Sequence, residues 1–261
     1  MENKRKFNQR EREEVPTSQN YVVGRNALRE LLRSEKDIDK IFVLKGERDG
    51  SLAQLLYQAK EKKIPIVETE RVKLEKMAGG GSHQGVVCAV AEQNYATVDE
   101  ILALAAERGE KPLVVVCDGI EDPHNLGAII RSAECMGAHG VIIPKRRAVG
   151  LTAVVSKASA GALAHMPVAK VANIPTVLEE LKEKGLWIYA ADMDGTPYYE
   201  TDLTGASAIV LGAEGAGVSR LVKERSDFVV SIPQYGKVNS LNVSNAAAVI
   251  LCEAARRRHT V

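Results

Sequence analysis

Apolar and polar positions along this chain follow two different rhythms, and the changes of rhythm mark its parts. Residues 1–19 show neither rhythm: Lys, Arg, Glu and Gln alternate with almost no apolar content, too little to offset the entropy of ordering, and a disordered tail is expected. From Tyr21 the pattern becomes structured. Residues 24–34 and 51–63 place apolar side chains at helical spacing, and 38–45 and 64–69 read as strands. A short helix over 71–78, a flexible glycine-rich loop over 79–85 and a strand over 86–91 follow. Residues 20–91 are thus expected to form a small α/β domain. Residues 92–111 are polar apart from one helical stretch, 98–107, stopped by Gly109 and Pro112, and read as a linker.

Beyond it the apolar runs become continuous: 113–117, 140–143, 187–191, 208–211 and 228–232, separated by helical patterns that include 152–165 and an Ala-rich run ending at Arg258. Strands that are apolar on both faces and alternate with helices predict a parallel sheet covered on both sides, so residues 112–261 read as a larger α/β domain. Ligands of such sheets bind beyond the carboxyl ends of the strands. Three of those ends carry polar or glycine-rich loops, at 118–125, 212–217 and 233–242.

The third loop starts where Pro233 stops an apolar run. Ser240, Asn242 and Ser244 crowd the entrance of the following helix, whose first amides lack partners. One such residue is enough for a cap. The surplus, beside amides able to hold an electronegative ligand, makes this loop a candidate binding site. The first loop runs through Asp122-Pro123-His124-Asn125 into a helix beginning near Leu126, with Asn125 placed to cap it. Arg131 follows within that apolar helix. It is either solvated or ion-paired, or it grips a phosphate or carboxylate through two parallel hydrogen bonds. The second loop, Gly212-Ala213-Glu214-Gly215-Ala216-Gly217, lacks the lysine of a Walker A loop and the glycine order of a dinucleotide fingerprint. It is a plain strand-to-helix turn or a place of close backbone approach to a ligand, with Glu214 supplying one carboxylate.

Composition narrows the field. The net charge of +1 excludes a globally basic nucleic-acid binder and leaves only local clusters such as Lys145-Arg146-Arg147. Cys88, Cys117, Cys135 and Cys252 never form a CxxC pair, and the five histidines show no ligand-like spacing, so no metal site and no disulfide framework are expected. No apolar run reaches the roughly 18 residues needed to span a bilayer, and a soluble cytoplasmic protein is expected. No GxSxG elbow is present.

Taken in order, residues 125–131, 209–217 and 232–246 resemble the three motifs of SpoU/TrmH-type RNA ribose 2′-O-methyltransferases, and residues 20–91 resemble the small ribosomal-protein-like RNA-binding domain that precedes them in the RlmB-like branch. The resemblance implies methyl transfer from S-adenosylmethionine to a ribose 2′-hydroxyl, a SPOUT-like domain with a trefoil knot, and a homodimer with active sites near the subunit interface. It also implies that Gly212, Ile232 and Leu241 lie against the cofactor, and that Asn125, Arg131, Glu214, Ser240 and Asn242 occupy catalytic and site-shaping positions. Within that family the RlmB type points to a guanosine of large-subunit (23S) ribosomal RNA. Transfer RNA, another rRNA nucleotide and a non-catalytic RNA-binding assembly factor are the competing readings. RNA contacts are expected from Arg25, Lys45, Arg48, His83 and Gln84, and from Lys145, Arg146 and Arg147.

Overall fold

The computed structural model describes residues 20–34, 36–46 and 49–259; the expected tail over 1–19 and Arg48 lie outside the described residues. The first part orders its elements as β1 (Asn20–Val23), α1 (Arg25–Arg33), β2 (Ile38–Leu44), α2 (Gly50–Glu61), β3 (Ile66–Thr69), α3 (Arg71–Ala78) and β4 (Val86–Val90). Its sheet runs β1-β4-β2-β3, antiparallel at β4 and parallel between β2 and β3. Burial alternates residue by residue along β2, as a period-two pattern demands. One face buries Leu28, Leu52 and Ile41 under α1 and α2, and the other packs Leu74 and Met77 of α3 on Val87.

The second part continues with α4 (Val98–Glu107), β5 (Leu113–Asp118), α5 (Pro123–Cys135), β6 (Gly140–Pro144), α6 (Ala153–Ala158) and β7 (Val168–Val171). It ends with α7 (Ile174–Glu183), β8 (Trp187–Pro197), β9 (Ser207–Gly212), α8 (Arg220–Glu224), β10 (Phe228–Ser231) and α9 (Val243–His259). The six strands form one parallel sheet ordered β10-β8-β9-β5-β6-β7. Helices cover both faces, and strand side chains are buried on each: Val115 and Ile209 belong to one core, Val114 and Val210 to the other. Chain order reverses between β9 and β5, and the three motif-bearing loops open at the carboxyl ends of β5, β9 and β10.

Three local readings differ from the sequence expectation. The helix inside the expected linker is packed: a capping box between Thr97 and Glu100 starts α4, and Ile101 is fully buried against the sheet. Gly140 leaves room for it, since a Cβ there would stand 2.5 Å from Ile101. The single helix expected over 152–165 breaks after α6, where Ala160 and Gly161 turn left-handed and a short 3-10 turn, Ala162–Ala164, follows. The Ser159 hydroxyl takes over from the helical ladder there, donating to the Ser156 carbonyl and accepting from the Leu163 amide. The edge strand β7, only four residues long, was too short to stand out by periodicity.

The two parts are bolted together by a buried polar cluster. Asp39, on the inward side of β2, receives the Lys170 ammonium and, at 2.5 Å, the Tyr95 hydroxyl. The Leu151 amide donates to that same hydroxyl, the Asp37 carboxylate accepts from the Tyr95 amide, and Gly150 lies so close to Asp39 that a Cβ would meet its carboxylate at 2.5 Å. At the far end of the chain, the Arg258 guanidinium donates to the carbonyls of Lys111, Pro112 and Gly205. Glu253 on the same helix accepts from Arg256 and Arg257, which hold its carboxyl down to about 2.

Candidate active site

A cavity of about 510 Å³ opens where β9 and β10 end, beside the middle of β8. Its wall at β9 is made by backbone. A Cβ on Gly212 would stand 2.0 Å from the Gly217 carbonyl carbon, so only glycine permits the loop to close on itself. The closure is reciprocal: the Ala213 amide donates to the Gly217 carbonyl and the Gly217 amide to the Ala213 carbonyl. Left-handed Gly215 and Gly217 make this tight return possible. The loop is therefore a self-paired turn that leaves strand β9 and presents Glu214 at its tip.

The loop before α9 supplies the opposite wall. Asn242 caps α9, its Oδ1 accepting from the Ser244 amide and hydroxyl, while its Nδ2 donates to Glu214 Oε1 at 2.6 Å and to Asn125 Oδ1 at 2.9 Å. One side chain thus ends one loop, starts a helix and ties in two others. Asn125 is not the cap of its own helix. Asp122 holds that place through the His124 amide, Pro123 takes the first helical turn, and Asn125 sits one turn in, buried, facing Asn242. The helix starts earlier than the apolar pattern indicated because Asp-Pro is itself an entry signal.

Six of the expected site residues line the first cavity: Gly212 and Glu214 at β9, Ile232 after β10, and Ser240, Leu241 and Asn242 before α9. Asn125 joins them through its hydrogen bond and lines a neighbouring cavity of about 570 Å³. Arg131 stands apart: it is exposed on α5 and borders neither cavity. Asp192 and Met193, in the middle of β8 just past its pairing with β9, also line the first cavity and are not singled out by the sequence reading. The signal was present as a polar break, Asp192-Met193-Asp194-Gly195, directly after an apolar run. Lys223 bridges Asp192 at 3.0 Å and Asp194 at 2.6 Å, fixing that stretch of β8, and its hydrogen bond holds the Asp194 carboxyl below its ordinary value. Beneath the site, burial pushes the Cys117 thiol up to about 12, so it is an inert core side chain.

The basic residues separate into three places. Arg25, His83 and Gln84 line a groove of about 670 Å³ on the first domain together with Arg29 and Arg71. Lys45 is exposed nearby, and Lys145 lines the cleft between the two parts. Arg146 and Arg147 reach the second cavity beside the Asn125 loop. Among the described residues no group of three or more His, Cys, Asp or Glu could hold a metal ion, and no helix is long and apolar enough to cross a membrane.

The chain as a whole resembles known proteins. Residues 112–252 match the SpoU rRNA Methylase family, and residues 21–96 match the domain described as RNA 2'-O ribose methyltransferase substrate binding. YacO of Bacillus subtilis, assigned to the TrmH family of tRNA/rRNA methyltransferases, is 44% identical over 92% of this chain and 97% of its own length. A Staphylococcus haemolyticus protein with the same assignment is 43% identical over 92% of this chain and 96% of its own. Among solved structures, the SpoU methyltransferase AviRb from Streptomyces viridochromogenes, crystallised with AdoMet, superposes with a TM-score of 0.58 at 25% identity, covering 91% of this chain and 90% of that one. The A. aeolicus TrmH/SpoU tRNA modifying enzyme does so with a TM-score of 0.52 at 31% identity, over 57% of this chain and 76% of its own. The chain belongs to the SpoU rRNA Methylase family and is an RNA methyltransferase.

Proposed function

We propose that this chain transfers a methyl group from S-adenosylmethionine to a ribose 2′-hydroxyl of RNA, and that its target is a guanosine of 23S ribosomal RNA. The observation that carries the reading is the convergence of Asn125, Glu214 and Asn242, from three loops far apart in sequence, at the rim of one cavity. The residues present fit the cofactor. Gly212 offers bare backbone where any Cβ would clash, and Ile232 and Leu241 add apolar contact beside the open amides of the loop. Bound there, the sulfonium group supplies an electrophilic methyl carbon and its own leaving group.

The protein's task is then positioning and proton removal. Asn242 orients Glu214 by holding Oε1, which leaves the other carboxylate oxygen without a hydrogen bond among the described residues and free to accept the 2′-hydroxyl proton. Ser240, exposed at the same rim, steadies the ribose. Arg131 keeps its proton at any physiological pH, so it works by charge, gripping the adjacent phosphate and favouring the developing alkoxide. Arg131 does not line the cavity of its own chain, which supports the reading that the partner's Arg131 fills this role in a homodimer. The family likeness also includes the knotted C-terminal segment, an RNA-holding role for the first domain and a cytoplasmic location, and these belong to the same proposal.

The experiment is direct. The full chain is incubated with labelled cofactor and total RNA from cells lacking the gene, and ribose methylation is mapped. Label on a 23S guanosine ribose is expected; label on tRNA moves the substrate, and label in bases or protein overturns the reaction. Co-expressed Arg131→Ala and Asn242→Ala chains should regain activity that neither has alone, whereas no recovery would place Arg131 in the same subunit as Asn242.

A further inference from the structure

The second cavity is where the structure assigns recognition of the target base. Glu214 lines both cavities, Asn242 faces only the first and Asn125 only the second. The wall between the two is therefore the proposed reacting edge, with cofactor on one side and room for one nucleotide on the other. Of the six charged side chains that line that room, three stand unpaired: Glu121 on the loop after β5, and Arg146 and Arg147 on the turn after β6. All are exposed, and none forms a hydrogen bond or ion pair with another described residue. The other carboxylates there each accept one hydrogen bond, Asp118 from the Ser219 amide, Asp122 from the His124 amide and Glu214 from Asn242, so among the described residues Glu121 is the carboxylate of this cavity with both oxygens unbonded.

The backbone that carries these groups is tied together. The Val149 amide donates to the Ile120 carbonyl at 3.0 Å, joining the two loops that carry them. Arg147 holds a left-handed backbone at φ 54°, a conformation costly for a side chain of this kind and one that gathers at ligand-binding turns. Left-handed Gly119 packs beside it, its missing Cβ 3.9 Å from the Arg147 carbonyl oxygen. Two unpaired guanidinium groups and one carboxylate with both oxygens unbonded, lining one cavity, match a ligand that carries an anion at one end and adjacent donors at the other.

We propose that a nucleotide of the RNA is turned out into this cavity, with its flanking phosphates on Arg146 and Arg147 and its base edge on Glu121. An ionised carboxylate accepts and never donates. Guanine alone presents two neighbouring donors, N1–H and the 2-amino group, to such a pair of oxygens, whereas adenine and cytosine set an acceptor beside their one amino group. Uracil has a single N–H between two carbonyls, which the carboxylate repels. Glu121 is thus a specificity-determining residue that selects guanosine. This rests on the ribose-methyltransferase reading above, but it makes its own commitment.

The test uses the RNA position found by mapping, prepared as guanosine, inosine, adenosine or a pyrimidine in otherwise identical RNA. The full chain should favour guanosine over inosine, which lacks the 2-amino group, by about 10- to 100-fold in kcat/KM. Glu121→Gln should shrink that ratio to within about 3-fold, because an amide offers one acceptor where the carboxylate offered two. Glu121→Asp, which keeps both acceptors, should retain the preference at lower rate. In filter binding, Arg146→Ala and Arg147→Ala should weaken RNA association and lower its salt slope by about 1 each. An unchanged guanosine-to-inosine ratio in Glu121→Gln overturns the assignment. Methylation mapped to an adenosine or pyrimidine ribose also overturns it while leaving the reaction intact, and absence of any ribose methylation removes both.

Discussion

Two polar clusters built from similar groups stand in this molecule, and they are finished differently. Around Asp39, a carboxylate, an ammonium, a phenol and backbone amides satisfy one another out of solvent. Burial lowers the Lys170 pKa against the pull of Asp39 and raises that of Tyr95, yet geometry holds the set closed. Around Asn242, by contrast, a carboxylate and two amides form a chain at a cavity rim and stop short, leaving acceptor capacity at Glu214 facing open space. A saturated buried cluster serves to fix one body on another. A partly used exposed one is an unfilled valence for something that arrives.

That contrast predicts a separation of stability from activity. The largest effect on folding should come from Asp39→Ala, which strands a buried ammonium and should cost about 3–5 kcal/mol in denaturant unfolding. The double replacement Asp39→Leu with Lys170→Met should recover most of it, and failure to recover would show that the cluster does more than cancel its own charges. Asn242→Ala should reverse the balance. It should lower methyl transfer about 100-fold by loosening Glu214 while costing only ~1 kcal/mol of stability for the lost cap. Equal losses in both would merge the two clusters into one class. Gly212→Ala falls between them: the loop must open to admit a Cβ, at a cost of about 1–3 kcal/mol, and calorimetry should show S-adenosylmethionine binding lost while the second-domain core still melts cooperatively.

The smallest effect sharpens the rule with pH. His139 is fully buried, its Nδ1 accepting from the Leu113 amide and its Nε2–H donating to Glu110 at 3.0 Å. Burial lowers its pKa from the ordinary 6.5, with Glu110 pulling less strongly the other way. The unfolded chain therefore takes up this proton at higher pH than the folded one, so the stability linked to His139 is present above about 6.5 and is lost as pH falls below it. Urea midpoints of the parent chain should fall across that window, and those of His139→Gln should fall less.

Much of this was legible in order along the sequence. Strand positions followed from continuous apolar runs, because a strand buried on both faces has no other way to be written. The convergence of Asn125, Glu214 and Asn242 entered through motif likeness, and local chemistry alone placed Asn125 as a cap that Asp122 in fact provides. Helical periodicity could not show that Ile101 is core, since a polar segment with one apolar stripe reads alike whether it spans a gap or covers a sheet. Nor could it reveal which loops share a wall. Asp192 meets Glu214, and Glu121 meets Arg147, only through the strand order, a long-range property that no window of residues contains. Arg131 is legible as a charge, and its distance from the cavity is legible only in three dimensions.

The fastening of Arg258 onto Lys111 and Pro112 has a consequence for how the protein is made. The residue that clasps the threshold of β5 lies 146 positions downstream of it, so a ribosome must deliver nearly the whole second domain before its doorway can be latched. The first domain meets its neighbours early and can wait, already shaped, on the emerging chain. Closure of the second domain therefore waits for the turn of α9 that carries Arg258, long after the strands and loops it fastens have been made.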